Sequence, residues 1–229
     1  MELPEDYKKG FKEFLGVKVD LSFRPLIPRE ETENWVKEIL PEIKEGTECL
    51  DLFAGSGCIG LAVLKNTKTL HCDFGDIEEN FLKGIEKSVL NNGIEIERCG
   101  FIKTDVFSNI EKKYDFIFSN PPYVAEKRIS EVGEDVKLFE PAVALYGGED
   151  GMKFIKIFLE EAINHLKESG IIYMEFDPEQ MEEIEEIIKE KYSAFEFLKD
   201  QYDKYRVVKI KKWTGLKKSF KRGGIKSRL

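Results

Sequence analysis

Glu48-Cys49-Leu50-Asp51-Leu52-Phe53-Ala54-Gly55-Ser56-Gly57-Cys58-Ile59-Gly60 runs from a short apolar stretch through three glycines into an apolar helix start. Strand, glycine turn and helix in that order make a nucleotide-binding βαβ unit. Glycines let the backbone turn tightly and approach a ligand closely, and the helix N-terminus behind them offers free N–H groups to the ligand's polar atoms. Alone the pattern is weak, because nicotinamide and adenosyl cofactors use the same turn.

Residues 69–75 read as a second strand, and Asp76 closes it 21 residues after Gly55. A carboxylate there can accept from both ribose hydroxyls. It can also cap the helix expected over Ile77 to Asn92, and the two roles are compatible. Phe101 to Val106 reads as a third strand ending in a carboxylate. Asp105 is either a partner for an adenine amine or an ordinary loop residue.

The next apolar run, Tyr114 to Ser119, ends in Asn120-Pro121-Pro122-Tyr123. Such a tetrapeptide is an ordinary way to stop a strand, since prolines cannot extend a ladder and push the preceding residue to extended backbone. It also suits a planar –NH2 group. The Asn120 side chain supplies a carbonyl acceptor, and the Pro121 carbonyl can face a ligand without a neighbouring N–H. Tyr123 can lie against the flat face of the group carrying the nitrogen, whose other side stays open to an electrophile. Placed where the methyl group of an adenosyl cofactor would point, the tetrapeptide implies methyl transfer rather than hydride transfer.

Strands are expected at 48–52, 69–75, 98–103, 114–119, 171–176, 193–198 and 205–212, and helices near 30–40, 57–66, 78–92, 149–168 and 178–192. Their alternation across 229 residues implies one α/β domain with a largely parallel sheet. Leu21 to Pro28 reads as a short extended lead-in. Residues 124–148 form a long charged connection after the tetrapeptide, of the kind that often serves as a lid or substrate surface. The expected organisation is an extended or hairpin segment over 1–28, the main domain over 29–212 and a basic tail over 213–229.

No stretch approaches the roughly 20 apolar residues of a membrane span, and the N-terminus does not read as a signal peptide, so no membrane role and a cytoplasmic location are expected. Cys49, Cys58, Cys72 and Cys99 lack metal-type spacing, and His71 and His165 are isolated, so no metal is expected. The net charge is −8, yet residues 209–229 carry nine Lys or Arg and no acid. A basic end on an acidic body either steers the chain toward RNA, the ribosome or an acidic partner, or is simply solvated.

Seven blocks, in order, resemble the class I S-adenosylmethionine-dependent methyltransferases, and within them the release-factor glutamine methyltransferases of the HemK/PrmC type. They are Gly10 with Phe14-Leu15-Gly16, Leu26 to Glu33, Asp51 to Gly60, Asp76-Ile77, Thr104 to Ser108, Asn120 to Tyr123, and Glu140 to Gly151. Together they span residues 10 to about 180. The resemblance implies a doubly wound, seven-stranded, mostly parallel sheet with an antiparallel C-terminal strand. It implies an S-adenosylmethionine site of Phe53, Ala54, Gly55, Ser56 and Gly57, with Asp76 on the ribose and Asp105 and Val106 around the adenine. Asn120, Pro121, Pro122 and Tyr123 would hold a glutamine amide, Asn120 would also sit near the methionine part of the cofactor, and Arg29 and Thr32 would shape the cover. The implied partner is a peptide chain release factor, methylated on the glutamine of its Gly-Gly-Gln loop.

Two departures bear on the substrate. Family members usually carry an N-terminal helical domain that grips the release factor, and this chain begins near where that domain would end; recognition would then fall to 124–148, to the basic tail or to a separate subunit. Glu175-Phe176-Asp177-Pro178-Glu179-Gln180 differs from the glycine-containing family version. The alternatives are methylation of an exocyclic amine in RNA or DNA, with Tyr123 stacked on a flipped base, and a non-catalytic binding subunit.

Overall fold

The computed structural model describes residues 1–192 and 194–212 and the backbone of 219–222. It opens with α1 (Glu5–Lys9) and a hairpin of β1 (Phe11–Phe14) and β2 (Val17–Asp20), followed by α2 (Glu30–Ile39), β3 (Glu48–Leu52), α3 (Cys58–Asn66), β4 (His71–Asp76), α4 (Glu79–Asn91), β5 (Cys99–Lys103) and β6 (Tyr114–Ser119). After these come α5 (Glu134–Phe139), α6 (Lys153–Glu161), β7 (Leu166–Glu175), α7 (Met181–Lys191), β8 (Ala194–Lys199), β9 (Tyr205–Lys211) and β10 (Ser219–Arg222).

The main sheet runs β10-β8-β9-β7-β6-β3-β4-β5. All seven expected strands are in it, and β9 is antiparallel to both of its neighbours. An eighth strand, β10, lies parallel to β8 at the edge, inside the stretch read as a basic tail. The remainder of that stretch, 213–218 and 223–229, falls outside the described residues. Among the described residues no helix is long and apolar enough to cross a membrane.

Alternation sorts each central strand between two cores. Cys49, Phe116 and Phe118 join the cluster under α2, α3 and α4, while Leu50, Leu52 and Ile117 join the cluster under α6 and α7. Strands buried on both faces need such near-continuous apolar runs. The helices present matching stripes. Thr32, Trp35, Val36 and Ile39 of α2 are buried at helical spacing, and Glu30, Glu31 and Glu33 occupy its first turn, where the helix dipole favours acids.

The hairpin turns through Leu15 and Gly16, both at positive φ, as a two-residue loop requires. Asn92 at the end of α4 docks the hairpin, accepting from the Lys18 N–H at 2.8 Å and donating to the Lys18 carbonyl at 2.8 Å.

One expected boundary fails. The helix read over 149–168 stops at Glu161, gives one 3-10 turn over Ala162–His165, and becomes strand at Leu166. Leu166 pairs with Tyr114 before the register shifts to Phe116 opposite Ile171. Sheet pairing thus overrides the helix preference of Leu166-Lys167-Glu168.

Two features seat α3 on the sheet. Asp51, 1% exposed, accepts from the Gly60 N–H at 2.9 Å, so a strand side chain satisfies one of the helix's unpaired donors. Gly60 also lies against β4, where a Cβ would come 2.4 Å from the Phe74 ring and 2.9 Å from the Cys72 Sγ. Gly60→Ala therefore forces the helix off the sheet and is expected to cost about 1–3 kcal/mol, measured by urea denaturation with an unchanged m-value.

Burial pushes the Asp51 carboxyl up to about 8, with the Gly60 bond opposing and the Asp76 charge adding to the rise. Its pKa is higher folded than unfolded, so its contribution to stability is complete below about pH 4 and is lost as pH rises through about 8. Asp51→Asn removes that titration. The melting temperature of the variant minus that of the wild type should climb between pH 5 and pH 9; a flat difference would contradict the assignment.

Candidate active site

Between β3 and β6 the chain reverses its direction of winding, because β4 and β5 lie on one side and β7 onward on the other. In open α/β sheets ligands bind in the crevice at that point, outside the carboxyl ends of the strands. A cavity opens there. Its walls are Phe53, Ala54, Gly55 and Ser56 after β3, Asp76 and Ile77 after β4, and Asn120 and Pro122 after β6. Leu26, Pro28 and Thr32 close one side, Phe81 of α4 another, and Val143 and Ala144 a third.

The turn is held by its neighbours. Ala54 N–H donates to the Gly75 carbonyl at 3.1 Å, and Gly55 N–H donates to Asp76 Oδ2 at 2.7 Å. Gly57 precedes α3 at φ 72°, packed so closely on Ile85 that a Cβ would sit 2.7 Å from it. Phe53 holds a positive φ of 58°, and such strain in a bulky residue is characteristic of functional sites. Asp76 Oδ1 accepts from the Glu78 N–H at 2.9 Å. The carboxylate thus joins turn to helix and keeps further lone pairs for a ligand. Burial raises its pKa against those two backbone bonds.

A second cavity shares Leu26, Asn120 and Ala144 with the first and adds Arg29, Tyr123, Val124, Val132, Val136 and Leu145. Asn120 stands between the two. Among the described residues its side chain makes no hydrogen bond, and the Pro121 carbonyl accepts none. Tyr123 is partly buried, and burial, then the nearby Glu175 charge, pushes its phenol above the usual range.

Residues 140–151 brace this tetrapeptide. Val124 N–H donates to the Leu145 carbonyl and Gly147 N–H to the Val124 carbonyl, both at 2.9 Å. A Cβ on Gly151 would lie 2.3 Å from the Tyr123 carbonyl oxygen, and one on Gly147 would lie 2.6 Å from that of Pro122. Glu140, 7% exposed, accepts from the Ile27 N–H at 3.2 Å and from Arg29 at 2.7 Å, tying the connection to a strap, Leu26 to Arg29, that lines both cavities. The 124–148 connection is therefore a folded wall, with α5 and two 3-10 turns.

Of the residues singled out from sequence, Phe53, Ala54, Gly55, Ser56, Asp76, Asn120 and Pro122 line the first cavity, and Asn120 and Tyr123 line the second. Gly57 flanks the first, and Pro121 is buried between its neighbours. Asp105 and Val106 are not in either lining: Asp105 is exposed and Val106 is buried at φ 48°, in the turn after β5. Ile77 and Phe81 take that wall instead. Sequence reasoning missed them, although Ile77 immediately follows Asp76. It also gave no role to Glu175 and Gln180, which reach Tyr123 from β7 and the turn after it.

The family model for the methyltransferase small domain matches residues 33–144. A release factor glutamine methyltransferase from Streptococcus pneumoniae is 36% identical over 90% of this chain and 74% of its own length. One from Clostridium botulinum is 32% identical over 93% of this chain and 77% of its own. Among solved structures, a Thermus thermophilus 16S rRNA methyltransferase in complex with AdoMet and guanosine superposes with a TM-score of 0.62 at 19% identity, over 89% of this chain and 50% of that one. A methyltransferase from Pyrococcus furiosus gives 0.61 at 19% identity over 86% and 88%. The two structures share the fold, whereas the sequence relatives, together with the crevice and its bracing, decide the family: the chain belongs to the release factor glutamine methyltransferases.

Proposed function

We propose that this protein transfers a methyl group from S-adenosylmethionine to the side-chain amide nitrogen of a glutamine, the one in the Gly-Gly-Gln loop of a peptide chain release factor, in the cytoplasm. The observation that carries the reading is the placement of Asn120, unpartnered, between a cavity walled by the glycine turn and Asp76 and a second cavity walled by Tyr123.

The residues present fit the cofactor. Asp76 has lone pairs left for ribose hydroxyls after its two backbone bonds. Ile77 and Phe81 offer apolar surface to a base, and Phe53 to Gly57 present the turn to the remainder. When bound, S-adenosylmethionine supplies an electrophilic methyl on a sulfonium centre.

An amide nitrogen shares its lone pair with its carbonyl and is a poor nucleophile, so placement has to compensate. The Asn120 side-chain oxygen and the Pro121 carbonyl accept from the two amide hydrogens, and Tyr123 backs the amide plane. Holding the nitrogen in line at near-attack distance supplies several kcal/mol of the barrier reduction. Both acceptors strengthen as the nitrogen gains positive charge, so they favour the transition state over the ground state. The methylated amide cation is acidic enough to lose its proton to water. The nine cations of 209–229 make that stretch the part of the chain suited to contact RNA or the ribosome.

The test is transfer of labelled methyl to a purified release factor, its Gln→Ala version and total RNA in parallel. Label on the intact release factor alone is expected; label on RNA alone would replace the proposal with an exocyclic amine substrate. Asn120→Ala should lower kcat by about a hundredfold, far more than it raises the Kd for S-adenosylmethionine read by titration calorimetry. Asp76→Ala should instead act chiefly on that Kd.

A further inference from the structure

Tyr123 is held at both ends by one short segment, Glu175 to Gln180, at the carboxyl end of β7. Gln180 Nε2 donates to the Tyr123 carbonyl at 3.0 Å and to the Gly151 carbonyl at 3.1 Å, and its Oε1 accepts from the Asp177 N–H at 3.0 Å. At the far end of the side chain, the Tyr123 hydroxyl donates to Glu175 Oε1 at 3.4 Å.

Glu175 is itself fixed. It is 1% exposed, and its Oε2 accepts from Thr32 Oγ1 at 2.8 Å and from Trp35 Nε1 at 2.9 Å. Both donors belong to α2, where Trp35 is stacked on Tyr173 with ring centroids 6.4 Å apart. With Oε2 pinned, Oε1 is left directed at the phenol. The 3.4 Å contact is long for an O–H···O bond, and such contacts commonly tighten only when substrate is in place.

Among the described residues no cation lies within ion-pair distance of Glu175, and the Arg206 charge acts on it only from farther away. A carboxylate buried without a direct partner cation is a costly way to fill core space. An apolar side chain of the same volume would leave Thr32, Trp35 and the phenol without this acceptor.

We infer that Glu175 is a positioning residue for methyl transfer: it sets the angle of the Tyr123 ring, and through that ring the placement of the acceptor amide. The inference rests on Asn120 to Tyr123 being the acceptor site. Thr32 also lines the first cavity, so the same carboxylate joins a wall of the methyl-donor side to a wall of the acceptor side.

The experiment compares kcat and KM for the release factor, the Kd for S-adenosylmethionine and the melting temperature across Glu175→Ala, Glu175→Gln, Tyr123→Phe and the double variant Tyr123→Phe/Glu175→Ala. Glu175→Ala should lower kcat by about thirtyfold, with the cofactor Kd within about threefold of wild type. Glu175→Gln keeps an oxygen for Thr32 and Trp35 and turns an NH2 toward the phenol oxygen, so it should recover kcat to within about threefold. In the Tyr123→Phe background, Glu175→Ala should cost little more. Additive losses in the double variant would overturn the inference, as would a Glu175→Ala loss no larger than its loss of folded protein. Should Glu175→Ala fail to fold, Glu175→Asp, one methylene shorter, takes its place with the same expectations. Asn120→Ala is the control: retained turnover there defeats the site assignment, whereas lost turnover there with additive Glu175 costs defeats only the positioning role.

Discussion

The parallel pairing of β3 with β6, Cys49 opposite Phe116 through Leu52 opposite Ser119, is the constraint on which the rest of the molecule depends. It joins two halves that wind in opposite directions, so the connections leaving their carboxyl ends diverge and leave a crevice. Phe53 to Gly57 leave one strand and Asn120 to Tyr123 the other. Their proximity is therefore a property of strand register rather than of any direct bond between them. Everything packed outside, including the hairpin, the strap and the folded connection, closes a space that this pairing has opened.

Carboxylates recur around that space. Asp51, Asp76, Glu140 and Glu175 are each less than a tenth exposed, and each accepts hydrogen bonds that join elements distant in sequence or adjacent in the turn. Burying a carboxylate is unfavourable unless donors replace water, which explains why all four are so fully engaged. Their shared consequence is that the helices, the turn and the segments around the crevice are tied together through buried acceptors.

The features legible in the sequence are the local ones. Three glycines within six residues, an acid at a strand's end and an Asn-Pro-Pro-Tyr after an apolar run each declare a backbone conformation that few other residues adopt, and each sits at a strand's carboxyl end. What escaped was set by contacts between distant residues. Glu175 meets Thr32 across 143 residues, and no periodicity or propensity carries that pairing. Leu166 to Glu168 looks helical in isolation and becomes strand where Leu166 pairs with Tyr114. Asp105 sits at the end of a strand as Asp76 does, but the chain turns at Val106 and leaves its side chain in solvent, so position at a strand's end is necessary for the cavity and not sufficient. The eighth strand carries too little apolar pattern to stand out from a run of cations.

The folded connection gives the site its second half. A 25-residue span with no structure of its own would make a poor wall, and here the two ends of the span are bonded to each other at Val124, Leu145 and Gly147, directly after the tetrapeptide, and the span is tied at Glu140 to Ile27 and Arg29. Leu26 and Ala144 consequently face both cavities, one from the strap and one from the connection. The wall between the two cavities is built from the ends of three segments, with Asn120 as the third. Because those segments are mutually bonded, a displacement of any one of them moves the boundary seen from both sides. The separation of the two cavities is thus set by the cover as well as by the sheet, and bracing of the tetrapeptide from Gly151 and Gln180 belongs to the same constraint.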